Sequence, residues 1–373
     1  MVRRLGLLTG GGDCPGLNAV LWAVVRAADQ LGIRTVGIED GYEGLCRDKP
    51  RVRPMKPADV RNILGQGGTV LGSTNRGNPF RYAVAGPDGA TCYEDRSQTV
   101  IDNIARLGLD GLIAIGGDGT LNISQELATR GLKVVGVPKT IDNDLSATDS
   151  TFGFSTAVGT AMEALDRLKT TGESHDRVMI LEVMGRYAGW IALHAGLSGG
   201  AHFVLVPELP YHLDVVLQRI RRHWAEGRRH FTLIVVAEGA FEAGSETQHL
   251  APGRPGSVAR VGGAGLALAV ALDSAFAENS KWPGAVPEVR TTVLGHLQRG
   301  GSPCAFDRVL SVRFGAEAVA LASRGRWNRM VCLRGTDIAS VPIEEAVRRL
   351  HRVDPDGQLV RQTRAVGICL GDR

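Results

Sequence analysis

Two acid-bearing loops, the first of them rich in glycine, lie about one strand–helix unit apart in this chain. One is Gly116-Gly117-Asp118-Gly119-Thr120; the other is Pro138-Lys139-Thr140-Ile141-Asp142-Asn143-Asp144. Glycines let backbone N–H groups approach phosphate oxygens, and carboxylates hold Mg²⁺ or take protons. Such parts serve phosphoryl transfer. An extended backbone would point Asp142 and Asp144 to the same side. Adjacent carboxylates repel unless a cation or a proton separates them. One can then accept a hydroxyl proton, a contribution of about 10²–10⁴-fold, while the other helps bind metal. Plainer readings are a helix cap for Asp118 and an Asx-rich turn for the second loop. A cap needs no flanking glycines, and turns rarely carry so many acids after an apolar run.

A third loop, Gly10-Gly11-Gly12-Asp13-Cys14-Pro15-Gly16-Leu17-Asn18, removes three successive side chains where an anion could meet a helix N-terminus. It lacks the Gly-Lys-Ser/Thr of a P-loop and the GxGxxG dinucleotide fingerprint. Cys14 reads as a small filler, since nothing beside it in sequence would lower its pKa.

These loops need rigid elements behind them. Apolar runs at 5–9, 35–38, 112–115 and 133–137 read as strands, and 17–30, 101–107 and 121–130 as helices. The alternation restarts after residue 153. Helices are expected at 154–170, 213–226, 263–277 and 307–323, and strands at 177–183, 232–236 and 289–294. Alternating strands and helices imply largely parallel, helix-flanked sheets. Two similar α/β lobes are expected, with the site in the cleft between them. One comprises residues 1–153 plus about 298–345, the other 154–297 plus about 346–373. Residues 241–261 read as a loop or mobile insert, and 353–373 show little pattern.

The chain of 373 residues is long enough for one large domain or two medium ones. A net charge of +4 is too small to argue for nucleic acid. Arg219-Ile220-Arg221-Arg222 and Arg228-Arg229 read as a solvated helix face. Six cysteines without a CxxC pair argue against a zinc site or disulfide framework and for a reducing, cytoplasmic setting. No signal-like segment or membrane-length apolar run is seen, so no membrane partner is expected.

The ordered motifs give the chain a resemblance to the 6-phosphofructokinases. Gly10–Asn18, Gly67-Gly68-Thr69-Val70-Leu71-Gly72-Ser73, the two acid loops, Glu182-Val183-Met184-Gly185-Arg186, Ala237-Glu238-Gly239 and Thr292-Val293-Leu294-Gly295-His296-Leu297-Gln298-Arg299-Gly300-Gly301-Ser302-Pro303 carry it. It runs from residue 2 to about residue 320. The resemblance implies that Asp142 deprotonates the sugar 1-hydroxyl and that Thr140 contacts the transferring phosphoryl group. Gly12 and Arg186 would stabilise its charge. Asp118 would hold Mg²⁺, helped by Asp144. Gly12, Arg76, Asp118, Gly119, Thr120 and Lys139 would face the donor. Fructose 6-phosphate would meet Thr140, Asp142, Arg177, Met184, Gly185, Arg186, Glu238, Arg290, His296 and Arg299. Arg177 and Arg290 would come from a neighbouring subunit, so a homodimer or homotetramer is expected. Arg290, His296 and Arg299 also form a basic set near one predicted strand end, as a sugar phosphate requires.

The resemblance leaves the phosphoryl donor mixed. ATP-dependent relatives carry glycine after the loop acid, as at Gly119; an aspartate there would crowd a nucleotide α-phosphate. Pyrophosphate-dependent relatives carry lysine before the threonine, as at Lys139. Missing space excludes a nucleotide, whereas an added lysine does not, so ATP is expected. A reversible pyrophosphate phosphotransferase is the alternative, and a non-catalytic metabolite-binding subunit a third. Arg76 stands one residue later than the usual nucleotide-phosphate arginine, and Asn75 could occupy that position. Trp22 and Pro57 stand where allosteric relatives carry effector-binding arginines, so that effector site is expected to be lost or altered.

Overall fold

Runs of apolar residues buried on both faces build the sheets of the computed structural model, which describes residues 2–86, 90–226, 231–245, 249–251, 260–278, 282 and 286–373. Strand β1 (Arg4–Thr9) passes through the triple-glycine loop into α1 (Leu17–Gln30), β2 (Arg34–Ile38) and β3 (Val52–Met55). A hairpin of β4 (Tyr82–Ala85) and β5 (Thr91–Glu94) precedes α2 (Ser97–Arg106). Then come β6 (Gly111–Gly116), α3 (Asp118–Thr129) and β7 (Val134–Pro138). The second half runs α4 (Phe154–His175), β8 (Arg177–Val183), α5 (Trp190–Ser198), β9 (Phe203–Leu205), α6 (Leu213–Glu226) and β10 (Thr232–Ala237). Next come β11 (His249–Ala251), β12 (Arg260–Val261), α7 (Ala264–Glu278) and β13 (Glu288–Val293). The chain closes with α8 (Ala305–Ser323), β14 (Arg329–Arg334), β15 (Asp337–Pro342), α9 (Ile343–Val347) and α10 (Gln358–Ala365).

Seven strands form one sheet in the order β15-β14-β7-β6-β1-β2-β3, parallel except at its two edges. Four form a wholly parallel sheet, β13-β8-β10-β9. The expected α/β class with largely parallel, helix-covered sheets is what the chain adopts. Helix α8 crosses α1 closely because Gly315 has no side chain: a Cβ there would lie 2.9 Å from the Val20 carbonyl oxygen.

The expected elements are present, with ends moved by a few residues. Helix α4 runs on to His175 rather than stopping at residue 170. Within 241–261, read as loop, β11 and β12 pair antiparallel. Residues 246–248 and 252–259 of that stretch, and Arg228 and Arg229, lie outside the described residues. The tail is more ordered than its pattern suggests. Cys369 exchanges backbone bonds with His202 (2.9 Å) and Val204 (3.0 Å), lengthening the β9 edge. Among the described residues, no helix is long and apolar enough to cross a membrane.

Candidate active site

Strands β1, β6 and β7 are parallel neighbours, so the three glycine and acid loops leave one edge of the sheet together. Backbone bonds fix them. Gly10 N–H donates to Ile115 O at 2.9 Å, and Lys139 N–H to Gly116 O at 3.0 Å. The segment 66–76 is tied alongside. Thr9 Oγ1 donates to Gly72 O (2.7 Å), and Gly11 N–H to Thr74 O (3.1 Å). Asn18 Nδ2 donates to Gly67 O (3.1 Å), and its Oδ1 accepts from Val70 N–H (2.8 Å). Sequence reading gave Thr9 and Asn18 no role. Their signal was only a polar residue at a buried strand end and in a helix's first turn.

Two cations line the triple-glycine loop. Lys139 is buried, and its Nζ donates to Gly12 O at 2.6 Å. Burial pulls its ammonium below the ordinary lysine range. Arg299 Nη1 donates to Asp13 O at 3.2 Å, and a Cβ on Gly12 would collide with that nitrogen. Glycine at position 12 therefore gives Arg299 its place. Opposite, Asp118 is exposed in the first turn of α3 and Thr120 is buried beneath it. A Cβ on Gly119 would meet nothing within 4 Å, so the loop faces open space there. Arg76 is exposed, whereas Asn75 Oδ1 would lie 3.9 Å from a Cβ on Gly11.

The acid loop is not extended as the spacing suggested. Asn143 takes a left-handed conformation (φ 52°), which asparagine tolerates better than most residues. The bend is pinned: Asn143 Oδ1 accepts from Thr151 N–H (3.0 Å), and Thr151 Oγ1 donates to Thr140 O (2.7 Å). Asp142 N–H donates to Thr140 Oγ1 at 3.1 Å. Despite the bend the two acids remain electrostatically joined. Asp142 Oδ1 is closed off from solvent without a hydrogen-bond partner. Burial first, and then the charge of Asp144, pushes the Asp142 carboxyl up to about 7, while Arg299 opposes the shift. Asp144 is raised by burial and by Asp118, against a hydrogen bond from Thr140.

Stability should record this. A carboxyl whose folded pKa exceeds its unfolded value contributes most below the unfolded pKa, and that contribution is lost as pH rises through the folded pKa. Replacing Asp142 with Asn should therefore raise the thermal midpoint at pH 8 by at least about 2 °C. The gain should vanish towards pH 4. Melting curves at both pH values check this, and a destabilised variant at pH 8 would refute it.

The second sheet brings up the other residues. Met184, Gly185 and Arg186 follow β8, and Glu238 follows β10; Gly239 N–H donates to Gly185 O at 3.2 Å. Burial raises the Glu238 carboxyl and Arg186 counters it. Past β13, the 3₁₀ turn Gly295–Arg299 carries His296, exposed, and Arg299. Its buried Gln298 accepts Met184 N–H through Oε1 at 2.8 Å, a link the sequence reading missed. Glu182 is engaged elsewhere: its carboxylate accepts Gly263 N–H (3.0 Å) and Gly265 N–H (2.8 Å) at the start of α7.

Arg177 and Arg290 are not gathered here. Arg177 opens β8 and Arg290 lies inside β13, and both pair with Glu288. The basic set expected at one strand end is thus split. Arg290 stands before the end of β13, and Arg177 is a whole strand, roughly 20 Å, from Met184.

Among the described residues, no group of three His, Cys, Asp or Glu side chains forms a metal cage. Mg²⁺ ordinarily takes one or two carboxylates, with phosphate and water oxygens completing its shell. The mutually repelling Asp118 and Asp144 fit that role.

The family profile described as Phosphofructokinase matches residues 4–322. A protein of Chloroflexus aurantiacus (strain ATCC 29366 / DSM 635 / J-10-fl) named ATP-dependent 6-phosphofructokinase is 47% identical over 99% of this chain and 98% of its own. One from Amycolatopsis methanolica, named Pyrophosphate--fructose 6-phosphate 1-phosphotransferase, is 47% identical over 95% and 97%. The crystal structure of Pichia pastoris phosphofructokinase in the T-state aligns with a TM-score of 0.75 and 28% identity over 93% of this chain. This chain spans 36% of that longer one.

Proposed function

The chain belongs to the phosphofructokinase family, and from that premise we propose that it transfers the γ-phosphoryl group of ATP to the 1-hydroxyl of fructose 6-phosphate, a step of glycolysis. The observation that carries the mechanism is Asp142: a carboxyl with a sealed, unpartnered oxygen, set where the loops of both sheets meet Arg299. Asp142 takes the proton of the 1-hydroxyl. The freed oxygen attacks the γ-phosphorus, and the bond to the β–γ bridging oxygen breaks, releasing ADP. Thr140, Arg186, Lys139 and the Gly12 N–H offset charge on the equatorial and leaving oxygens. Asp118 and Asp144 would hold Mg²⁺, which would supply positive charge to offset that of the donor phosphates. Met184, Gly185, Glu238, His296 and Arg299 bind the sugar phosphate.

In this reading, residues 1–153 with about 298–345 handle the donor, and 154–297 with about 346–373 handle the sugar. Arg177 and Arg290 serve the site of a neighbouring copy in a homodimer or homotetramer. The exposed apolar residues Leu266, Val270, Val293, Leu297, Phe306 and Val309 support self-association. A cytoplasmic location belongs to the same proposal.

Pyrophosphate is the second reading, favoured by buried Lys139 and by the name of the Amycolatopsis relative. The open space beside Gly119 favours a nucleotide. Initial rates of fructose 1,6-bisphosphate formation, with Mg²⁺ and either ATP or nucleotide-free pyrophosphate, separate the two. We expect turnover with ATP; turnover with pyrophosphate alone overturns the donor assignment.

A further inference from the structure

Between α9 and α10 the chain runs antiparallel to the acid loop and touches it at every step. Ser146 Oγ donates to Arg349 O at 2.7 Å, and Leu145 bridges Leu350. His351 N–H donates to Asp144 O at 2.8 Å. The His351 ring nitrogen Nδ1 lies 3.1 Å from Asn143 O. A carbonyl only accepts, so Nδ1 carries the proton. On its other side the same segment grips the second sheet's elements. Trp190 Nε1–H donates to His351 O at 2.8 Å, and the two rings stack with centroids 4.7 Å apart and planes at 29°. Val353 N–H donates to Glu208 Oε1 at 2.8 Å, and Glu208 also accepts Gly189 N–H at 3.1 Å. Trp190 opens α5, four residues beyond Arg186.

We infer that His351 is a positioning residue, which fixes the Asn143–Asp144 peptide through Nδ1 and locks it to Trp190. The acid loop and the loop of Met184–Arg186 thereby hold one relative position. The backbone bonds of residue 351 survive substitution. The side chain adds only the Nδ1 bond and the stack, and both act on the left-handed bend that orients Asp142 and Asp144. Asn143 keeps its own bond to Thr151, so the loop stays folded without His351 but loses its fine setting. That predicts a loss in the chemical step rather than in substrate binding. A misplacement of about 1 Å can cost about 10²-fold in rate.

The inference rests on the reading above for its kinetic part. Full-length wild type, His351→Ala, His351→Asn and Trp190→Phe are compared. The asparagine amide nitrogen sits about where Nδ1 does. In His351→Ala we expect kcat to fall about 10- to 10²-fold, with KM for both substrates nearly unchanged. His351→Asn should recover much of the loss. Trp190→Phe, which keeps a ring to stack on, should lose less. Amide hydrogen exchange at residues 141–146 should quicken in His351→Ala relative to wild type, whatever the substrate. A wild type inactive on fructose 6-phosphate would sink the functional reading, while faster exchange would still support the positioning role. Wild-type kcat in His351→Ala, no recovery in His351→Asn, or unchanged exchange overturns the inference.

Discussion

Asp142→Asn is expected to lower kcat by about 10²–10⁴-fold, the range for losing a positioned general base. The change is nearly isosteric and leaves Asp144, Lys139 and Arg299 in place. The amide cannot take the proton of the attacking hydroxyl. KM for fructose 6-phosphate should change little, because the contacts proposed for its phosphate lie on other loops. The pH profile adds a second reading. Burial and Asp144 hold the Asp142 carboxyl up near 7, so in the free enzyme kcat/KM should fall on the acid side of that value as the base becomes protonated. The two acids titrate together, so the limb belongs to the pair. In Asp142→Asn it should flatten. Full turnover by the variant at neutral pH would remove Asp142 from the base role.

The stability gain expected of the same substitution follows from the same burial. A carboxyl kept without a partner is costly to the fold and useful to the reaction, which is the usual bargain at a reactive site. Lys139 shows the counterpart: burial pulls its ammonium below the ordinary lysine range, and it donates to Gly12 O in the triple-glycine loop.

Much of this arrangement is legible in the sequence because it depends on local signals. An apolar run followed by an acid-bearing polar stretch, glycine-rich after 5–9 and 112–115, marks a strand end, and 5–9, 112–115 and 133–137 all lead to loops that meet at one sheet edge. What escaped depends on long-range contact. Helix α5 is apolar nearly all round, since both the Phe154 side and the β9–β10 side bury it, and so it lacks helical alternation. The bend at Asn143 is set by Thr151, eight residues on, and an isolated Asp-Asn-Asp gives no warning of it. Gln298, between two basic residues of a quoted motif, bonds across to Met184, and only the fold reveals the pairing. The strap at 349–353 comes from a stretch with no periodicity, because it bonds through its backbone to a loop two hundred residues earlier. Arg290 stands apart from His296 and Arg299 for the opposite reason. It is close in sequence to His296, but the strand carries them to different levels of the sheet.

The largest effect on donor choice should come from Gly119→Asp. A Cβ at this position meets nothing, and an acid in the first turn of a helix suits its dipole, so the variant should fold. Its carboxylate would stand beside Asp118, in the space available to a nucleotide. Two unit charges about 5 Å apart repel by about 3 kcal/mol at an effective dielectric near 20. That corresponds to about 10²-fold in kcat/KM for ATP. Pyrophosphate has no α-phosphate to place there, so its rate should fall less, and the ratio of the two donors should move towards pyrophosphate. Steady-state kinetics with each donor at saturating fructose 6-phosphate measure that ratio. An equal loss with both donors would mean that the added carboxylate disturbs the metal binding proposed for Asp118 rather than the nucleotide. A retained preference for ATP would move the discrimination elsewhere, to Lys139 and the segment carrying Asn75 and Arg76.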